Sequence, residues 1–164
     1  MTHLEHIRAK IVTLPVLLHK LSKRPGEKIV FTNGCFDLVH QGHVDYLAKA
    51  REMGDILIIG LNSDSSVRRL KGPSRPIIEQ ESRAMLLAAF EFVDYVVFFD
   101  DDTPKQLIAA VQPDVLVKGG DYRIDDIAGH DIVQAKGGQV ATIDLLPGFS
   151  TTDIVAKINK NNKP

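Results

Sequence analysis

Two histidines three residues apart, His40 and His43, are the side chains best placed in this sequence for chemistry on a phosphate. Gly42 lies between them, a strand-like apolar run (28–31) precedes them, and a helix-like run (44–50) follows. A junction between strand and helix presents unpaired backbone N–H groups and the positive end of the helix dipole, which attract anions. Side chains at positions i and i+3 of a first turn can face one ligand. The pattern therefore predicts binding of a nucleotide phosphate chain.

A second motif lies just upstream of the histidines. Thr32, Gly34, Phe36 and Asp37 have the spacing TxGxFD. Together with HxGH at 40–43, it resembles the paired signature of the cytidylyltransferase-like nucleotidyltransferases. Further motifs follow in the order expected for one branch, the D-glycero-β-D-manno-heptose 1-phosphate adenylyltransferases. They lie at 61–64, 71–76, 117–122 and 148–152. The Lys-Gly-Gly-Asp-Tyr run is the most branch-specific of them, and the resemblance extends over nearly the whole chain.

The resemblance implies transfer of AMP from ATP to heptose 1-phosphate, which gives ADP-heptose and pyrophosphate for lipopolysaccharide or surface-polysaccharide synthesis. The attacking phosphate oxygen is already anionic at neutral pH, so positioning and electrostatic stabilisation supply most of the catalysis. Mg²⁺ is expected with ATP, held mainly by phosphates and water. No protein metal site is expected, because the histidine pair lacks a third or fourth ligand at zinc-site spacing.

Two alternatives remain open. One is the same fold with another acceptor, such as a cytidylyltransferase acting on glycerol 3-phosphate or another phosphorylated alcohol. The other is a nucleotide-binding protein without turnover. Leu145, Leu146 and Pro147 stand where related cytidylyltransferases carry Arg-Thr-Glu, which counts against glycerol phosphate and choline phosphate as acceptors. The intact histidine pair together with Lys71 favours an enzyme.

The resemblance also implies a role for individual residues. The expected catalytic residues are His40, His43 and Lys71. The expected nucleotide-binding residues are Thr32, Asn33, Gly34, Cys35, Phe36, Gly42, Lys118, Gly119, Asp121, Ser150, Thr151 and Thr152. The expected substrate-binding residues are Asp37, Asn62 and Arg75. A flexible lid at 68–76 would fit the basic, glycine- and proline-containing composition there.

Several of these regions have a second interpretation. Asp37 could instead orient a histidine or its loop, or cap the following helix. Arg83 could reach the same site or form a surface salt bridge. Cys35 is not expected to be a nucleophile, because no His–Asn/Asp set surrounds it. The acidic run 100–102 is interpreted as favourable charge before a helix N-terminus and not as a metal cluster.

The elements that must position these residues alternate along the chain. Strands are predicted at 28–31, 55–61, 94–99, 115–117 and 139–144. Helices are predicted from 44 onward and at 82–92, 105–111 and 150–159, with Met85, Leu86, Ala89 and Phe90 on the inner face of the second. This alternation predicts a Rossmann-like, doubly wound parallel five-stranded α/β sheet with helices on both faces. Ligands of such sheets bind at the carboxyl ends of the strands, where 31–33, 62–63 and 118–120 all fall.

Residues 1–26 are predicted to form a helical N-terminal lead-in to a single domain, with the nucleotidyltransferase part at 27–164. Apolar residues recur at helical spacing from Leu4 to Leu21, and Pro15 would split or kink that helix. The formal net charge of -1 gives no basic field for nucleic acid. The single cysteine suits a reducing cytoplasm, and no apolar run is long enough to span a bilayer.

The resemblance implies two kinds of protein partner. The family pairs through its sheet-edge region, so a homodimer or higher homo-oligomer is expected. The heptose branch is often fused to a sugar kinase, and 164 residues leave no room for one. A stand-alone transferase that depends on a separate heptose kinase is therefore expected.

Overall fold

Five parallel strands form one sheet in the computed structural model, which describes residues 1–120 and 122–161. They are β1 (Ile29–Gly34), β2 (Ile56–Asn62), β3 (Tyr95–Phe99), β4 (Val115–Gly119) and β5 (Gln139–Ile143). The strand order is β3-β2-β1-β4-β5, and every neighbouring pair is parallel. The order reverses beside β1, which opens a crevice at the carboxyl ends of β1 and β4. The predicted doubly wound α/β fold is confirmed.

Helices cover both faces of this sheet. They are α1 (His3–Ala9), α2 (Leu14–Leu21), α3 (Gln41–Arg51), α4 (Asp64–Lys71), α5 (Gln80–Ala88), α6 (Lys105–Val111), α7 (His130–Ala135) and α8 (Thr151–Asn161), with a 3-10 turn at Ile124–Asp126. Leu47 of α3 and Leu87 of α5 belong to one buried cluster, and Leu17 of α2 and Ile108 of α6 belong to the other. No helix within the described ranges is long and apolar enough to cross a bilayer.

The first 26 residues do not form one helix. The chain is extended between α1 and α2, where Val12 N–H donates to the Val96 carbonyl and Val96 N–H donates to the Lys10 carbonyl, both at 2.9 Å. The predicted split of this lead-in is present, but it lies at residues 10–13, before Pro15. Pro15 lies in the first turn of α2, where its missing N–H is tolerated.

Two other local predictions are partly wrong. The segment predicted as a basic loop at 68–76 begins as helix, because α4 continues to Lys71. In α5 the buried apolar residues are Ala84, Leu87 and Ala88, whereas Leu86 is 49% exposed. Of the predicted inner face, Leu86 and Ala89 are exposed, whereas Phe90 packs against the core as predicted.

Candidate active site

His40 and His43 form a reciprocal cap at the start of α3. His40 Nδ1 accepts a hydrogen bond from Gly42 N–H at 3.1 Å, and His43 Nδ1 accepts one from His40 N–H at 3.4 Å. The two rings stack with centroids 3.9 Å apart. Because each Nδ1 is an acceptor, the hydrogen-bond pattern assigns the proton of each neutral ring to Nε2. Capping therefore uses Nδ1 of each ring and leaves each Nε2–H available to a ligand.

Both imidazoles are uncharged at neutral pH. Burial, followed by the nearby His40 and Lys71, lowers the pKa of His43 to about 4. Burial also lowers the pKa of His40. The pair therefore presents two neutral N–H donors, and the positive charge of the site comes from lysine and arginine side chains.

Gly42 lies where a side chain would crowd its neighbours. A Cβ atom there would be 3.0 Å from the His40 ring and 3.1 Å from Cβ of Phe149. The Phe149 ring lies 6.4 Å from that of His40, and the Phe36 ring lies 5.2 Å from that of His43. The histidine pair is thus held between two phenylalanines, one from each side of the cleft.

Residues at the carboxyl end of β1 form the floor of the cleft. Thr32 is fully buried, and its hydroxyl bonds to the Tyr46 hydroxyl, which donates to the Val117 carbonyl at 3.2 Å. Thr32 therefore lies beneath the cleft and ties α3 to β1 and β4. Phe36 has φ 46°, a left-handed conformation that costs energy in a residue other than glycine. Such strain is typical of backbone held in place around a site.

Cys35 lines the same floor. Burial raises the pKa of its thiol, which the nearby cations Lys71, Arg83 and Lys118 only partly offset. The thiol is therefore protonated at neutral pH, and a protonated thiol is a poor nucleophile. Its backbone carbonyl accepts a hydrogen bond from Arg83 at 2.5 Å.

Lys71 lies in the last turn of α4. The acidic run at 100–102 holds this helix in position through side-chain contacts. Asp100 accepts hydrogen bonds from the hydroxyls of Ser63 and Ser65 at the N-terminus of α4. Arg69 pairs with Asp102 at 3.1 Å. The acidic run thus binds α4 through side chains, which sequence reasoning did not foresee.

Residues 72–79, here called the strap, connect α4 to α5. Asp37 is buried and accepts hydrogen bonds from Ile77 N–H (2.8 Å), Ile78 N–H (2.9 Å) and the Arg75 guanidinium (3.1 Å). The N-cap of α3 is His40, so Asp37 does not cap that helix. The carboxylate orients the strap and, through it, Arg75.

Arg83 is the largest fully buried side chain among the described residues. Its guanidinium donates to the Ile78 carbonyl (2.9 Å), the Cys35 carbonyl (2.5 Å) and the Asp64 carboxylate (2.8 Å). The surface salt bridge considered for Arg83 is therefore wrong. No sequence pattern points to this burial, because two of its three partners are backbone carbonyls.

Lys118, near the end of β4, is the second lysine that lines the cleft. Burial, and secondarily the like charge of Lys71, lowers the pKa of Lys118. Its Nζ lies 5.7 Å from the centre of the Tyr122 ring. A Cβ atom at Gly119 would come within 2.7 Å of a terminal methyl group of Leu145 and 3.3 Å of the Tyr46 ring, so a larger residue would displace the Leu145 side chain. Asp121, predicted to bind nucleotide, lies outside the described residues.

The start of α8 closes the opposite side. Ser150 Oγ accepts from Asp153 N–H at 3.0 Å and caps the helix. The Thr151 hydroxyl donates to the Leu38 carbonyl at 3.4 Å, which joins α8 to the loop before α3. Helix-start N–H groups and hydroxyls in this position suit an anion.

These elements enclose one cleft with three adjoining compartments, all of them lined by Lys71. The central compartment is lined by residues 33–37 with His43 and Lys118. The α8 compartment has apolar walls and hydroxyls; its lining includes His40, Gly42, Leu145, Leu146, Phe149, Ser150, Thr151 and Thr152. The third compartment is lined by polar residues that include Asn62, Thr103, Lys118 and Asp126, and by apolar residues that include Leu70, Phe99 and Ala128. Apart from Thr32 and Asp121, every predicted site residue lines this cleft, with Arg75 in the central compartment.

Sequence reasoning missed several lining residues. Tyr46 and Tyr122 were not predicted to line the site, and Leu145 and Phe149 were noticed only for their place in motifs. Tyr46 is on the buried face of α3, where an aromatic residue looks like ordinary core. The helical period of α3 would have placed it one turn beyond His43, facing the same way.

The described residues contain no group of three or more His, Cys, Asp or Glu side chains that could hold a metal ion. Asp37, which lines the central compartment, is already occupied by three donors. A magnesium ion that arrives with a triphosphate takes most of its ligands from phosphate and water and needs few from protein.

Comparisons with known proteins agree with this geometry. The model of the family described as cytidylyltransferase-like matches residues 31–157. The bifunctional protein HldE of Syntrophotalea carbinolica is 57% identical over 139 residues, which are 85% of this chain and 28% of that protein. This chain spans less than a third of the length of the curated relatives it matches.

Two solved structures share the fold. A lipopolysaccharide core biosynthesis protein from Thermoplasma volcanium has a TM-score of 0.60 and 26% identity, over 74% of this chain and 98% of that one. Pantothenate synthetase from Thermus thermophilus has a TM-score of 0.61 and 16% identity, over 93% of this chain and 70% of that one. At 16% identity the second likeness shows the fold alone.

Proposed function

The chain belongs to the cytidylyltransferase-like family, and from that premise we propose that it transfers AMP from ATP to D-glycero-β-D-manno-heptose 1-phosphate. A phosphate oxygen of the sugar attacks the α-phosphorus of ATP. The bond from that phosphorus to the bridging oxygen breaks, and pyrophosphate leaves with the negative charge. The expectation of a nucleotidyltransferase is confirmed at the level of the family.

The observation that carries the proposal is the convergence of neutral donors and cations without a nucleophile–base pair. His40 and His43 offer Nε2–H donors, and Lys71 and Lys118 contribute positive charge around one compartment. Charge moves from the attacking oxygen toward the bridging oxygen in the transition state. Fixed donors aimed at that oxygen stabilise the transition state more than the ground state. Mg²⁺ bound to ATP would neutralise part of the triphosphate charge.

Two observations support heptose phosphate as the acceptor. The first is the branch-specific run at 118–122, which begins at the end of β4 beside the cleft. The second is the solved relative described as a lipopolysaccharide core biosynthesis protein. Leu145 and Leu146 give the α8 compartment apolar walls where related cytidylyltransferases carry polar residues, which argues against transfer of CMP. A homodimer or higher oligomer, a separate heptose kinase and a cytoplasmic location remain predictions.

Pyrophosphate release tests the proposal. ATP and CTP are each incubated with Mg²⁺ and either heptose 1-phosphate or glycerol 3-phosphate, and the sugar nucleotide is identified by mass. Release with ATP and the heptose phosphate alone is expected. Release with another pair would keep the chemistry and replace the acceptor or base, and nucleotide binding without release from any pair would favour a protein without turnover.

A further inference from the structure

Strands β1 and β4 stop pairing with each other below the cleft. Their ladder contains only two residue pairs, the second of which is Phe31 with Leu116. On their other sides the same strands stay paired to their ends, because β1 pairs with β2 as far as Gly34 and β4 pairs with β5 as far as Gly119. The two strands therefore separate at the level of the cleft, where the strand order reverses.

The side chain of Tyr46 lies at the point of separation. The next pair in the register of β1 and β4 would be Thr32 with Val117. The Tyr46 hydroxyl reaches both of them from α3, at 2.5 Å from Thr32 Oγ1 and 3.2 Å from the Val117 carbonyl oxygen. A tyrosine has one hydroxyl proton and a carbonyl only accepts, so Thr32 donates to Tyr46 and Tyr46 donates to Val117. The hydroxyl thus bridges the two strands where their ladder has ended.

The bridge is closed to water. Thr32 and Val117 are fully buried and Tyr46 is 6% exposed. Burial raises the pKa of Tyr46 to about 12, so its hydroxyl keeps the donated proton at neutral pH. Loss of the hydroxyl would leave a buried donor and a buried acceptor without partners, which the strands can relieve only by moving.

A residue that lines the central compartment lies on each side of the bridge. Tyr46 is one turn beyond His43 on α3, and Val117 is followed directly by Lys118. The Tyr46 ring also lies against the end of β4, since a Cβ atom at Gly119 would be 3.3 Å from it. A shift of β4 relative to α3 would therefore change the distance between the imidazole donor and the ammonium group.

We propose that Tyr46 is a positioning residue, whose hydroxyl fixes the separation of β1 and β4 and thereby holds Lys118 at its working distance from His43. The hydroxyl touches no reacting atom in this role, because both of its partners belong to the protein. The inference rests on the proposed function, because the two positioned side chains act on the phosphate chain of ATP. If Tyr46 served only as core packing, its hydroxyl would affect stability but not the rate of the folded enzyme.

Tyr46→Phe tests the proposal, because it keeps the ring and removes only the hydroxyl. With ATP, Mg²⁺ and heptose 1-phosphate, kcat should fall about tenfold or more, since displaced donors stabilise the transition state less. The KM for ATP should stay within about twofold of wild type, because ground-state contacts tolerate a small displacement better. The matched control is Tyr95→Phe, which removes the hydroxyl of a half-buried tyrosine at the amino end of β3. Equal kcat values for the two variants, measured well below their unfolding midpoints, would overturn the proposal.

Thr32→Val provides a second test that does not require Tyr46→Phe to fold. It keeps the shape of the side chain and removes the attachment of the bridge to β1. Its kcat should therefore also fall, with a nearly unchanged KM for ATP. A wild-type kcat in Thr32→Val would overturn the proposal, because the separation of the strands would then not depend on the bridge.

Hydrogen exchange without substrate separates failure of this inference from failure of the proposed function. Amide exchange at Lys118 and Gly119 should be about tenfold faster in Tyr46→Phe than in Tyr95→Phe, because the end of β4 is less restrained. If the wild-type protein releases no pyrophosphate but exchange accelerates in this way, the bridge stands and the reaction is wrong. Unchanged exchange would overturn the inference, whatever reaction the protein catalyses.

Discussion

Asp37 and Arg83 bind the two main-chain polar groups of the same residue, Ile78. The Asp37 carboxylate accepts from Ile78 N–H at 2.9 Å, and the Arg83 guanidinium donates to the Ile78 carbonyl at 2.9 Å. Arg83 also binds the Cys35 carbonyl, on the floor of the cleft. One buried cation therefore ties the strap to the floor of the cleft without lining the cleft itself.

Replacing Arg83 by Met should destabilise the protein more than substitution of an exposed arginine. The change leaves two carbonyls and the Asp64 carboxylate without their donor, at a cost of about 3 kcal/mol. Urea denaturation measures it as a lower midpoint. Arg68→Met is the matched control, because Arg68 is exposed on α4. Equal midpoints for the two variants would contradict the structural role of Arg83.

Asp37→Asn should loosen the strap while leaving the sheet intact. Both Ile77 N–H and Ile78 N–H donate to Asp37 Oδ1, and the single oxygen of the amide can still accept them, but as a weaker, neutral acceptor. The amide N–H groups replace Oδ2, so the bond from Arg75 and the second contact of Ile77 N–H are lost. Hydrogen exchange at Ile77 and Ile78 should accelerate by about tenfold or more. Asp55→Asn, which disturbs a similar bond to Lys28 N–H away from the cleft, should leave the strap unchanged. Unaltered exchange in Asp37→Asn would show that the strap does not depend on this carboxylate.

The sheet was predictable because its strands are unusually apolar. Every residue of β2 is buried, and a short continuous apolar run bounded by polar residues is typical of a strand covered on both faces. The motifs were predictable for a related reason, since the carboxyl ends of parallel strands meet at one edge. Asn33, Asn62 and Lys118 therefore had to be neighbours once the strands were identified.

Other features could not be predicted from the sequence. The face that α5 buries was misplaced, because Leu86 and Leu87 are adjacent and either could serve as the core residue of a short helix. The burial of Arg83 depends on Cys35, a partner 48 residues away that contributes only its backbone carbonyl. Interactions through the main chain leave no side-chain signature, and a charged residue early in a helix ordinarily faces solvent.

His40→Asn should separate the capping role of His40 from its chemical one. Asparagine is a favourable N-cap residue, so the free energy of unfolding should change by less than about 0.5 kcal/mol. The Nε2–H donor is lost, and kcat should fall about 100-fold, as expected for one missing transition-state donor. His40→Ala should lose both the cap and the activity. Near-normal kcat in His40→Asn, with the helix cap preserved, would restrict His40 to a structural role.

Stability should depend on pH through His43. Its pKa in the folded protein, about 4, lies below the ordinary value of 6.5, so the unfolded chain binds more protons between these pH values. The free energy of unfolding should therefore fall as pH decreases from 6.5 toward 4, with the full penalty present below pH 4. His43→Gln can keep an oxygen acceptor for the His40 N–H but does not titrate, so it should show a shallower decline.

Urea denaturation of both proteins at about pH 7.5, 6 and 5 measures the difference, because these values bracket the titration of the unfolded imidazole. Carboxylates titrate in this range too, but they are the same in both chains, and so the difference in slope isolates position 43. Lys71, whose charge also opposes protonation of His43, supplies a second check. Lys71→Met should raise the pKa of His43 and reduce the pH dependence of the otherwise wild-type protein. If the free energy of unfolding changed equally with pH in wild type and His43→Gln, burial would not be holding the imidazole of His43 neutral. The assignment of His40 and His43 as a neutral donor pair would then be wrong.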